Sequence, residues 1–196
     1  MVYIWDMIDK VNNIIIKKYI SSCGEANDFD KERIEYALKI LLNESEKILG
    51  ILVFFICIGQ AKAFLISFVV LMSMRIFIGG IHFTTRLRCF SFTTLFFMMV
   101  IYMSGYFVLY RVVGVVVGCV AFVNVILFAP LKSKHRILVT EGRRKHLRKC
   151  ALVAVVIWLV FYSVLEENVA NLIIWTVIMQ QIELLYGAYL ERRGTR

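Results

Sequence analysis

Residues 64–82 read FLISFVVLMSMRIFIGGIH, nineteen positions broken by one charge, Arg75, and closed by Gly79-Gly80 and His82. A helix rising about 1.5 Å per residue needs about 20 apolar residues to cross a ~30 Å hydrocarbon core, so this stretch predicts a membrane span. Working outward, similar runs recur at Phe90–Tyr110, Val112–Ala129 (ending at Pro130, the sole proline), Ala151–Leu165 and about Val169–Leu190. Upstream, Ile48–Gly59 is too short to span by itself. It has to recruit Ile40, Leu41 and Leu42 and carry Glu44, Glu46 and Lys47 near its cytoplasmic end. Those charges are expected to face protein, headgroups or one another.

The rest of the composition agrees. The 196 residues are 60% hydrophobic and 14% aromatic, more than a small water-soluble globule can bury. The expected fold is all-α: a polytopic integral membrane bundle of about six transmembrane helices, forming one domain over residues 1–196. Residues 1–28 form its amphipathic interfacial segment. There Ile4, Ile8, Val11, Ile15 and Tyr19 share one face, while Asp6, Asp9, Lys10, Asn13 and Lys17 lie largely on another. A helix packed against the bundle would show the same pattern. The start lacks the basic, apolar and small-residue order of a removable signal peptide.

The formal charge of +9 would suggest nucleic acid in a soluble chain, but here the basic residues lie between and after apolar runs. Residues 130–149 hold eight Lys/Arg against one acid, Glu141, and read as a basic cytoplasmic loop. Six spans put both termini, the Arg86/Arg88 turn, this loop and the basic tail on one side, leaving Lys62 and Arg111 opposite. The five cysteines show no metal-ligand spacing, and Cys57 and Cys119 sit inside apolar runs. No metal and no organic cofactor are expected.

Chemistry concentrates in Arg75-x3-Gly79-Gly80-x-His82-x6-Cys89. A charge within a span costs ~2.5–3.5 kcal/mol on insertion scales. Arg75 therefore needs a partner, and Glu46 and Glu183 are the candidates. On a helix Arg75, Gly79 and His82 form one stripe, with Gly79 clearing space between two polar groups. Arg86 and Arg88 should stabilise a thiolate at Cys89, which makes it a nucleophile. An unbroken helix would separate His82 from Cys89 by ~10.5 Å along its axis, too far for proton transfer at ~3 Å. The helix must therefore break, with Gly79-Gly80 and Thr84-Thr85 the places for it to do so. Backbone N–H groups around Gly79-Gly80, or Arg75, are candidates for steadying an oxyanion. Asn43, Glu44, Glu46 and Glu183 are all candidates to orient His82. His135 and His146 look solvated.

This pattern at a membrane turn resembles the accessory gene regulator B (AgrB) family, membrane endopeptidases that process quorum-sensing propeptides in Gram-positive bacteria. The order of features is similar too, including Ala129-Pro130 before a basic loop and a last hairpin. The resemblance implies that Cys89 and His82 are the catalytic pair, with Arg75, Gly79 and Gly80 at the matching Arg and Gly positions. It implies a short amphipathic AgrD-like propeptide substrate lying on the cytoplasmic leaflet, a thioester on Cys89 after removal of the C-terminal tail, and closure of a thiolactone or lactone. Lys132, Lys134, Arg143 and Arg144 are candidates to attract an acidic tail, although topology and anionic lipid also explain them. The remaining partners are membrane lipids and, compatibly with the family, a second copy of the chain; nucleic acid is not expected. Two other classes fit the bare residues: a transporter or channel whose polar path is lined by Arg75 and Glu183, and a non-catalytic membrane scaffold.

Overall fold

The computed structural model describes residues 10, 12–16, 18–19, 28–81, 85–131 and 140–193. The described residues form helices and connections, with no strand. They divide into two compact units, 1–54 and 55–196, each described by itself. Among the described residues from 28 onward, the helices in order are α1 (Asp28–Cys57), α2 (Ala61–Ile78), α3 (Arg86–Tyr106), α4 (Arg111–Phe128), α5 (Glu141–Val164) and α6 (Glu167–Arg192).

The protein is a polytopic helical bundle. Five helices, α2 to α6, are long and apolar enough to cross a membrane. The sixth expected span lies in α1, a 30-residue helix that carries Glu44, Glu46 and Lys47 through its middle. In the first unit these charges find protein partners: Glu44 pairs with Lys47 one turn on, and Glu46 accepts from Asn12 Nδ2. Asn12 and Ile16 of a short helical segment at 12–16 are buried, whereas Ile15 and Tyr19 are exposed. Ile4, Ile8 and Val11, expected on the same face, lie outside the described residues.

In the second unit α6 is the central helix. It packs against each of α2, α3, α4 and α5, and 61% of its apolar window is buried, against 22–33% for the other four. The outer faces of those four carry exposed apolar side chains such as Leu65, Val69, Leu95, Met99, Val116, Val120, Val156 and Val160, as lipid contact requires. Where α4 crosses α5, Gly114 and Gly118 let the helices close: a Cβ at Gly114 would lie 2.2 Å from the Tyr162 ring, and one at Gly118 2.1 Å from Leu159. This is the small-xxx-small packing that membrane helices use in place of a hydrophobic driving force.

One end of the unit gathers the α2–α3 turn, the α4–α5 connection and the last turns of α6; Arg192 lies over the Phe128 ring at 5.8 Å. At the other end Asn171 holds the α3–α4 link by donating to Ser104 O and Phe107 O and accepting from Leu109 N–H. Trp175 Nε1 donates to Phe107 O as well, and Arg111 caps α5 through the carbonyls of Ser163 and Leu165. Irregular backbone at this end is thus met by side chains, as a bundle in lipid demands. The α5 helix starts ten residues earlier than the expected span at Ala151. Residues 141–149, expected as loop, continue the helix with Arg143, Arg144 and Lys145 exposed.

Candidate active site

The α2 helix ends because Gly79 takes φ +88°, a backbone conformation that side chains with a Cβ rarely adopt. Its N–H still reaches Arg75 O at 2.8 Å, so the helix closes on the arginine. Ile78 O then accepts from Leu131 N–H at 3.0 Å, and a Cβ at Gly79 would stand 3.5 Å from Leu131 Cβ. Arg148 Nε donates to Ala129 O at 2.9 Å. The turn after α2 is therefore fastened to the α4–α5 connection, which is held in turn by α5.

The Arg75 side chain folds over Gly80. A Cβ there would lie 2.3 Å from Arg75 Nε, so only glycine leaves room for the guanidinium. Arg75 Nη2 lies 2.9 Å from Glu183 Oε1 and donates to Ile81 O at 3.2 Å, while Glu183 Oε1 accepts from Ile81 N–H at 2.8 Å. The pair is nearly closed off from solvent, with side-chain exposures of 15% and 2%. Of the two acids expected to serve Arg75, Glu183 is its partner, and Glu46 bonds Asn12 instead. The cost of placing a charge within the bundle is offset by ion pairing plus hydrogen bonds to backbone. Gly79 N–H and Ile81 N–H are both committed in this conformation.

Cys89 occupies the first turn of α3. Thr85, extended at φ −111° and ψ 138°, is the N-cap, and its carbonyl accepts from Cys89 N–H at 3.1 Å. Cys89 is half-buried, with Arg86 and Arg88 exposed beside it and no acid in the turn. Cations at a helix N-terminus oppose the helix dipole, and together the two create a local field that favours negative charge. The expected break in the chain is present: α2 stops at Ile78 and α3 begins at Arg86, so no continuous helix links Gly79 to Cys89. His82 lies outside the described residues, as do Lys132, Lys134 and His135. Arg143 and Arg144 stand exposed in the first turn of α5, where Arg144 N–H bonds Thr140 O at 3.0 Å.

Two features escape a reading by motif. His146 and Cys150, on α5, form a sulfur–imidazole contact, Nε2 to Sγ 3.6 Å. Its signal was the four-residue spacing in KHLRKC. The bond from Glu183 to Ile81 joins positions 102 apart and had no local signal. A cavity of about 400 Å³ lies at the opposite end, among Leu109, Arg111, Tyr162, Glu167 and Asn171, away from Cys89.

The family model for accessory gene regulator B matches residues 8–184, taking in the turn, Cys89 and Glu183 alike. The chain belongs to the accessory gene regulator B family. An AgrB-like protein of Clostridium beijerinckii is 26% identical over 170 residues, covering 84% of this chain and 81% of the relative. No solved structure matches. AgrB membership places the protein in quorum-sensing peptide processing as a multi-pass membrane protein, consistent with the five membrane-compatible helices.

Proposed function

We propose that this protein is a membrane-embedded cysteine endopeptidase that cuts a short amphipathic propeptide and closes its signalling segment into a ring. Cys89 is the nucleophile and His82 the base. The Cys89 thiol proton passes to His82 as sulfur attacks the carbonyl before the C-terminal tail. The C–S bond forms, the C–N bond breaks, and the tail amine takes the proton from the imidazolium. In the second step an internal Cys or Ser of the propeptide gives its proton to His82 and attacks the thioester. A thiolactone or lactone leaves, and the Cys89 thiol is restored. The thioester keeps the acyl group activated, and a site at the lipid boundary limits hydrolysis by water.

The observation that carries this reading is the break between Ile78 and Arg86, which frees the start of α3 from the axis of α2. Without it the His82–Cys89 spacing would exclude proton transfer. The positive first turn of α3 supports an anionic tetrahedral intermediate. Arg75, Gly79 and Gly80 shape the turn rather than donate to an oxyanion, and Lys132, Lys134, Arg143 and Arg144 receive the acidic tail. The site and both termini face the cytoplasm of a Gram-positive cell, by the excess of Lys/Arg at that end. The transporter reading needs Arg75 and Glu183 to line a polar path, and their closure on each other and on Ile81 weighs against it.

Coexpression with the propeptide tests the proposal. Cys89→Ser and His82→Ala should each insert into membranes at wild-type levels and abolish tail removal, read by mass spectrometry. Cleavage by both variants would reject the assignment.

A further inference from the structure

We propose that Glu183 is a positioning residue of the site, acting through Ile81 and Arg75 rather than by touching substrate; this rests on the cysteine-peptidase reading above. Both polar backbone groups of Ile81 are held. Its N–H goes to Glu183 Oε1 at 2.8 Å, and its C=O goes to Arg75 Nη2 at 3.2 Å. The two side chains are joined to each other at 2.9 Å, so the peptide is gripped by one connected unit. Ile81 is the residue whose carbonyl carbon bears the nitrogen of His82. The unit thus fixes where the chain stands as it enters the catalytic motif.

Three observations set this apart from a structural ion pair that happens to lie nearby. Gly80 has no Cβ at the one place where the guanidinium must pass, 2.3 Å from where that atom would be. The contact comes from the central helix α6, the most buried of the five apolar helices, across 102 residues of sequence. Glu183 also keeps a second oxygen, Oε2, buried and without a hydrogen-bond partner among the described residues. That oxygen retains the capacity to accept another donor. A buried ion pair generally adds little stability over an apolar pair of similar volume, so placement of the turn is what the arrangement supplies.

The experiment uses the full-length protein in proteoliposomes with purified propeptide. Single-turnover acylation and KM are measured for the double variant Arg75→Met/Glu183→Leu, for Glu183→Gln and for Cys89→Ser. Removing both charges together avoids leaving one buried alone but also frees Ile81 N–H and C=O, so the double variant's abundance and melting temperature are measured beside its rates. Per folded molecule its acylation should slow by about 100-fold, the scale set by misplacing a reacting group by roughly 1 Å, with KM changed by less than about threefold. Glu183→Gln keeps an oxygen for Ile81 N–H and should recover part of the rate. Should the double variant fail to fold, Glu183→Gln alone carries the test, with an expected loss of at least tenfold in acylation at unchanged KM. Acylation within threefold of wild type in every folded variant would overturn the inference, as would a loss wholly explained by less folded protein. Processing that survives Cys89→Ser would instead overturn the peptidase reading.

Discussion

A methyl group at position 80 would sit 2.3 Å from Arg75 Nε, inside a side chain pinned at its far end by Glu183 and Ile81 O. Gly80→Ala is therefore expected to dislodge the guanidinium and lower the rate of tail removal by at least tenfold, with little effect on insertion, read by propeptide processing in isolated membranes. Position 79 fails for another reason: its φ of +88° suits glycine, and alanine there should disturb the end of α2. The second sulfur–imidazole pair gives a control at the same scale. Cys150→Ser should process propeptide at wild-type rates, since His146 and Cys150 stand on α5 and the chemistry is assigned to α3. Loss of processing in Cys150→Ser would move the nucleophile. The motif residues were legible in sequence because a membrane span tolerates an arginine, paired glycines and a histidine only for a reason. Glu183 could be named only as one candidate among four. Its bond to Ile81 depends on tertiary packing across 102 residues, which no local pattern encodes.

At the scale of elements, four of the apolar runs became α2, α3, α4 and α6 with ends shifted by only a few residues, because length and hydropathy dominate where the solvent is hydrocarbon. The basic segment misled. High charge and the sole proline suggested a loop through Lys149, yet from Glu141 onward the residues form helix, since Arg, Lys and Leu are good helix formers and Thr140 sits at the N-cap. The spacing Gly114-x3-Gly118 does not stand out in the sequence; the α4–α5 contact gives it meaning. Gly114→Ala should meet the Tyr162 ring and destabilise the bundle by about 1–3 kcal/mol, as overpacking typically does. The check is the thermal midpoint in detergent. At Gly118 the nearest atoms are the methyl ends of Leu159, which yield more readily, so Gly118→Ala should cost less.

For the whole molecule, hydropathy and the placement of Lys/Arg were enough to give a polytopic helical bundle, with the α2–α3 turn, the α4–α5 connection and the end of α6 gathered at one end of the second unit. The number of crossings depends on α1, whose 30 residues include an apolar half and three charges that find partners within the first unit. If α1 crosses, single cysteines introduced at Lys31, before its apolar half, and at Gly142 should be labelled by a membrane-impermeant thiol reagent only in inverted vesicles, and one at Tyr110 only in intact cells, in a variant without the native cysteines; labelling at Lys31 in intact cells with Gly142 protected would show that α1 does not cross.

The central claim is that Cys89 carries the acyl group. Intact-protein mass spectrometry after a short incubation with propeptide is expected to show an adduct equal to the propeptide without its tail. The adduct should be labile to hydroxylamine, located on Cys89 and absent from His82→Ala. Tail removal by Cys89→Ala, or an adduct mapped to Cys150, would contradict the account.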